Sequence, residues 1–210
     1  MTARTNPLRL HRFALSGHAH RVELLLSLPG LPFERIDVDL AKGAHKAPDF
    51  LARNPFGQVP VIEGGEVTLS DSHAILAYLA AKYGGDTWLP RDPIGAARVQ
   101  RWLSVAAGPL AFGPAAARLI ALFKTPYNLA EVTARAHALF AVIEAELSAA
   151  SFITGRRPTI ADVALYSYTA HAPEGGVSLA AYPRLRDWLA RIEQLPGFVP
   201  MIGSPLPAAA

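Results

Sequence analysis

The chain has 210 residues, 51% of them apolar and 18% charged, which allows a sizeable core and excludes a disordered chain. The formal charge is +3 and the pI near 9.4, but Lys and Arg form no block, so the excess suits a small anionic ligand better than nucleic acid. Cysteine is absent, which removes disulfides, thiolate metal ligands and cysteine nucleophiles together and is compatible with a reducing compartment.

Residues 1–7 lead into no apolar stretch of signal-peptide length, so a cytoplasmic protein is expected. Residues 8–13 part-alternate between Pro7 and Ser16-Gly17 and predict a strand. Across residues 17–28, Val22, Leu25, Leu26 and Leu28 fall at helical spacing until Pro29-Gly30 stops them. Residues 33–40 alternate, with Ile36, Val38 and Leu40 on one face and Arg35, Asp37 and Asp39 on the other. A strand–helix–strand order implies a parallel pair with a right-handed crossover. A short helix is expected over residues 48–53, before the loop residues Asn54-Pro55-Phe56-Gly57. In "VPVIEGGEVTL" two apolar runs flank Gly64-Gly65, the signal of a two-residue hairpin. Ser70 or Asp71 can cap a helix running to Tyr83, with Ile75, Leu76, Leu79 and Tyr83 inward and Gly84-Gly85 ending it. Residues 1–83 thus form a small α/β unit of thioredoxin type.

The stretch "GGDTWLPRDPIG" is a connection, with residues 84–93 as linker, and strand signals stop beyond it. Residues 94–123 are helical and expected to break at Gly108-Pro109 and Gly113-Pro114. The same steps, with Arg118, mark the apolar run 105–123 as a buried, interrupted helix and not a membrane span. Helices over residues 129–147, 159–170 and 183–195 complete an all-helical second domain, 94–210. Thr159 and Asp162 form a T-x-x-D capping box with a structural role.

Three places could carry chemistry. Val59-Pro60 heads a strand, where proline removes a ladder donor; a cis bend there would turn the Val59 backbone outward, while an ordinary trans edge proline is the alternative. Asp71-Ser72 sits at a helix N-terminus, suited to a ligand carboxylate, with Asp71 able to accept from an ammonium; a plain pair of caps would look the same. Ser16 follows the first strand in the frame Ala14-Leu15-Ser16-Gly17-His18, which is not a nucleophile elbow. His18 and His20 resemble a metal pair, but no carboxylate or third histidine stands at metal spacing, so no metal is expected. The remaining reading of Ser16 is a hydroxyl donating to an anion at the helix N-terminus, with both histidines partly exposed beside it.

These pieces, in this order, resemble a cytosolic glutathione transferase of the serine type, similar to bacterial phi- and theta-like members. The likeness rests on "NPFGQVPVIEGGEVTLSDSHAILAYLA", "TIADVALYSY" and "YPRLRDWLARIEQLPGF", and it covers nearly the whole chain. It implies a thioredoxin-like N-terminal domain that binds glutathione, followed by an all-α domain that binds a small hydrophobic electrophile. Val59-Pro60 is similar to the family's cis-proline bend, which pairs with the cysteinyl part of glutathione. Asp71-Ser72 matches the pair that holds the γ-glutamyl end, aspartate standing where glutamate is commoner. His45 and Lys46 are similar to a segment near the glycine carboxylate, with Ala44 in place of a glutamate, and Gln58 matches a further contact.

Ser16 aligns with the catalytic serine. A free thiol of pKa about 8.5 is mostly protonated at neutral pH, and the thiolate is the nucleophile. A shift of about two units, roughly 2.7 kcal/mol, is what one hydroxyl and a helix N-terminus would need to supply. Leu15 and Phe112 are the expected electrophile contacts. The resemblance also implies a homodimer, with no nucleic-acid or membrane partner, and a detoxifying activity. A glutathione-dependent isomerase or dehalogenase is an alternative, though "ALSGHAHR" lacks the isomerase branch's serine-rich pattern. A non-catalytic relative would be marked by loss of Ser16 or of Asp71-Ser72.

Overall fold

The computed structural model describes residues 7–205, and the expected domain limits at residues 1 and 210, with the alanine-rich tail, lie outside them. The first strand, β1 (Leu8–Arg12), buries Leu8 and Leu10 and leads through a tight turn into α1 (Gly17–Ser27). Next comes β2 (Phe33–Asp37), parallel to β1 as the crossover demands. It ends before residue 40 and is largely exposed, as the edge strand of the sheet order β2-β1-β3-β4. A short α2 (Pro48–Leu51) precedes the hairpin of β3 (Val61–Gly64) and β4 (Val67–Ser70).

Gly64 pairs with Val67, so the two-residue loop is Gly65-Glu66, one position later than the Gly-Gly pair suggested. Only Gly65 has φ positive (59°), the requirement of a type II′ turn's first position. Asp71 caps α3 (Ser72–Tyr83), which buries Ile75, Leu76 and Leu79, whereas Tyr83 is 40% exposed and not inward.

The expected linker holds a helical turn of its own, α4 (Gly85–Trp88). Beyond it, α5 (Pro93–Val105) and α6 (Ala116–Phe123) are joined by residues Ala106–Ala115 in a wide π-helical register. The expected breaks at Gly108-Pro109 and Gly113-Pro114 are therefore absent. A proline cannot donate to the preceding turn and crowds its carbonyl, and widening the turn accommodates both effects without ending the helix. This run packs against α7 (Leu129–Glu146) and α8 (Ile160–Ala170), with α9 (Pro183–Glu193) completing the helical layer.

One continuous apolar core joins α/β and helical layers, from Leu10 and Val22 through Trp102 to Leu165 and Trp188. The capping box at Thr159 forms as expected, and Asp162 also accepts from Ile153 N at 2.8 Å and Trp188 Nε1 at 2.9 Å. That carboxylate ties the start of α8 to α9 and so sets the wall behind the first turn of α1.

Candidate active site

Between the sheet and the long helical run lies a cleft of about 900 Å³. Leu15, Ser16, His45, Lys46, Gln58, Val59, Pro60, Asp71 and Ser72 all line it. Residues scattered over four segments are thus gathered because each follows, or leads into, the same end of the sheet.

Ser16 is the N-cap of α1. Its Oγ accepts from Ala19 N at 3.2 Å, and its N–H donates to Phe13 O at 2.9 Å. Capping uses an oxygen lone pair, so the hydroxyl proton remains available as a donor. Gly17 is required next to it. An added Cβ would stand 2.8 Å from carbons of the buried Tyr168 ring, so α1 can approach α8 only without a side chain there.

The two histidines part company. His20 is 4% exposed, with Nδ1 2.8 Å from Ser167 Oγ and Nε2 2.9 Å from Val199 O, which corrects the expectation that it is partly exposed. Burial pushes its pKa down to about 4. His18 does line the cleft, edge-on to Tyr168 at 5.1 Å. Burial, then the charges of Arg21 and His73, lower it to about 3, so it stands neutral at neutral pH.

At the other end of the cleft, Asp71 Oδ1 caps α3 by accepting from His73 N and Ala74 N, both at 2.9 Å. Its backbone is at φ 69°, ψ 122°, outside the left-handed basin that non-glycine residues tolerate best. Ser72 is buried and accepts from Arg21 Nη1 at 3.3 Å. Arg21 is wholly buried; burial lowers it to about 10, which leaves it charged at neutral pH. A guanidinium against the N-terminus of α3 makes this end of the cleft more positive, the environment a carboxylate needs.

Along the cleft floor the Val59–Pro60 peptide is cis. Neither polar backbone group of Val59 pairs with another backbone group among the described residues. Asn54 shapes the loop, donating from Nδ2 to Gln58 O at 2.7 Å and accepting from Phe56 N at 3.1 Å. Lys46 Nζ donates to Phe56 O at 3.3 Å and Gly57 O at 3.2 Å, so its ammonium braces the loop while lining the cleft.

The helical wall corrects one expectation. Phe112 is 51% exposed and lies outside the cleft, in a groove with Trp102, Pro109 and Leu139. One position along this wide helix turns a side chain by about a quarter of a turn, enough to carry it from the cleft to the next groove. The cleft wall is instead Ala111, Ala115, Leu119 and Phe123, facing Leu15 and Phe13. Arg118 stands among them, 1% exposed, a residue whose charge in the sequence alone argues only against a membrane span. A lone arginine inside an apolar helix was the available signal, since such a charge persists in a core only when it is paired.

Two family descriptions match the chain: "Glutathione S-transferase, N-terminal domain" over residues 7–81 and "Glutathione S-transferase, C-terminal domain" over residues 126–191. It is 36% identical to glutathione S-transferase 3 of Zea mays, over 96% of either chain. A glutathione S-transferase from Pseudomonas fluorescens superposes with a TM-score of 0.88 at 32% identity, covering 94% of this chain and 100% of that one. A glutathione transferase homolog from Drosophila mojavensis, solved with bound glutathione, has a TM-score of 0.82 at 29% identity, over 90% of this chain and 89% of that one.

Proposed function

This chain belongs to the glutathione S-transferase family, and from that premise we propose that Ser16 ionises the glutathione thiol for attack on a small hydrophobic electrophile. The protein is a glutathione transferase, and its co-substrate is glutathione. In this reading the γ-glutamyl carboxylate lies at the start of α3 on Ser72, with its ammonium on Asp71. The cysteinyl amide pairs with the Val59 backbone beside Pro60. The glycine carboxylate reaches His45 and Lys46, with Gln58 alongside.

The observation that carries the assignment is the double use of one hydroxyl. Ser16 Oγ accepts from Ala19 N, which fixes it at the mouth of α1, and its proton is left to donate to sulfur. That bond and the α1 N-terminus favour the thiolate over the thiol, the direction that lowers its pKa. The neutral His18 is available as a polar wall, not as a cationic partner. The thiolate then attacks the electrophile's carbon or heteroatom, the leaving group departs into the open side of the cleft, and the hydrophobic part rests on Leu15, Phe13, Leu119 and Phe123.

The division of labour we assign is residues 1–83 for glutathione, 84–93 as the connection and 94–210 for the electrophile. We further assign a cytoplasmic, detoxifying homodimer. The homodimer follows the family resemblance, and a reducing compartment keeps glutathione as the thiol.

The test is Ser16→Ala, assayed with an aryl halide. Loss of one preorganised donor lowers conjugation about 10- to 1000-fold, with glutathione affinity near wild type. Unchanged turnover, with the bound thiol still ionised at neutral pH, would remove Ser16 from this role.

A further inference from the structure

The peptide that carries Ser16 is held at both ends. The Ser16 N–H donates to Phe13 O at 2.9 Å, within the turn. The Leu15 C=O, the other half of the same planar unit, accepts from Arg118 Nη1 at 2.7 Å. Arg118 belongs to α6, so this second hold comes from the helical part of the chain. A peptide plane fixed at its N–H and its C=O has little freedom to rotate, and its orientation together with the Ser16 φ of −84° sets the direction of the Ser16 Cα–Cβ bond.

Arg118 is itself secured. Its Nε donates to Glu174 Oε2 at 2.5 Å, in a pair that is buried on both sides. Glu174 accepts three further bonds: from His171 Nδ1 at 2.6 Å, from Ser204 N at 3.0 Å and from Ser204 Oγ. Burial pushes the Glu174 carboxyl up, but the bonds from Ser204, Arg118 and His171 outweigh it and hold it down at about 2. The carboxylate is therefore charged at neutral pH, and it offsets the guanidinium. The carboxylate offsets part of the guanidinium's field, and the direct hold of Arg118 on the Ser16 peptide is geometric.

We propose that Arg118 is a positioning residue for Ser16, transmitting through the Leu15 carbonyl a placement that Glu174, His171 and Ser204 secure. The proposal rests on the reading of Ser16 as the hydrogen-bond donor to the thiolate. A hydroxyl donating to sulfur is sensitive to direction, and displacement by about 1 Å costs up to 100-fold in comparable sites. The same network explains why an arginine occupies an otherwise apolar wall. Lysine, with one nitrogen, could reach Glu174 or the Leu15 carbonyl but would lack the fork that serves both.

The experiment compares Ser16→Ala, Arg118→Met, Arg118→Lys and the double variant Ser16→Ala/Arg118→Met. Each is read by the ultraviolet thiolate absorbance of enzyme-bound glutathione against pH, by kcat and KM with an aryl halide, and by thermal unfolding. Arg118→Met is expected to raise the bound thiol's pKa by about half to one unit and to lower kcat about 3- to 10-fold, with KM for glutathione unchanged. Arg118→Lys recovers part of both. In the Ser16→Ala background the Arg118 change adds nothing, because it acts through a hydroxyl already removed.

Arg118→Met with a lower unfolding temperature but an unaltered thiol titration and kcat overturns the proposal, since a purely structural ion pair behaves that way. Additive effects in the double variant overturn it too. If Ser16→Ala leaves the titration unchanged, the Ser16 reading falls and the positioning role falls with it. An unaltered titration only in the Arg118 variants sinks the positioning role alone. Should Arg118→Met fail to fold, Arg118→Lys and Ser204→Ala are read by the same criteria, with smaller shifts of the same sign expected.

Discussion

Replacing Asp71 by glycine should stabilise the free enzyme while abolishing its affinity for glutathione. The residue does two opposed things. Its carboxylate caps α3 through two bonds of 2.9 Å, and its backbone sits at φ 69°, ψ 122°, where a β-carbon is unfavourable. Relief of such a conformation is worth about 1–3 kcal/mol. Against it, a glycine in place of a capping side chain costs a few tenths of a kcal/mol, and the freer unfolded chain costs about 0.4–1. The balance is a gain of about 1 kcal/mol, or roughly 2–4 °C in Tm for a chain of this size. Asp71→Ala keeps the β-carbon and loses the cap, for a loss of about 1 kcal/mol. Asp71→Asn keeps a capping oxygen and removes only the charge, so its stability stays near wild type while KM for glutathione rises about tenfold. Denaturant unfolding and calorimetric titration with glutathione measure both sides. A glycine variant no more stable than the alanine variant would refute the strain argument.

Three further outcomes are expected. Gly17→Ala gains about 1 kcal/mol of helix propensity but drives a β-carbon to 2.8 Å from the Tyr168 ring, an overpacking that costs about 1–3 kcal/mol and shifts Ser16; lower Tm together with lower kcat is the signature, and a stabilised, fully active variant contradicts it. Asp162→Ala strands Ile153 N, Thr159 N and Trp188 Nε1 without their acceptor, at about 1–3 kcal/mol each, so urea unfolding should register a loss of several kcal/mol. Acid should act early, because His18, His20 and His73 are lowered from 6.5 to about 3, 4 and 4, chiefly by burial. Between those values and 6.5 the unfolded chain binds protons that the folded one does not, so stability falls as pH drops below 6.5 and is flat in these groups above it. Glu174, lowered from 4.5 to about 2, acts in the same direction in a more acid window. A flat unfolding midpoint from pH 7 to pH 5 would count against the buried neutral histidines.

Short-range patterns carried most of the fold. Alternation placed β1, turn chemistry placed the β3–β4 hairpin to within one residue, and Asp71 and Thr159 cap helices as their side chains allow. These features depend on neighbours a few positions away, so a single sequence contains them. Val59-Pro60 and Asp71-Ser72 stood out for a related reason, since they lie at element boundaries where backbone groups lack partners by construction, while their proposed part in holding glutathione came from the family resemblance.

What required the tertiary structure is everything decided across the chain. Phe112 and Ala111 are adjacent and both apolar, and only the packing of the π-helical stretch against α7 turns one outward and the other to the cleft. His18 and His20 are alike in sequence, yet one lines the cleft while the other is sealed between Ser167 and Val199. Arg118 reads locally as an odd charge in an apolar helix, and its meaning comes from Leu15, Glu174 and Ser204, brought to it from three separate segments. Periodicity and capping are local energies that a sequence states directly, whereas burial and pairing of a charge depend on which distant residues arrive beside it.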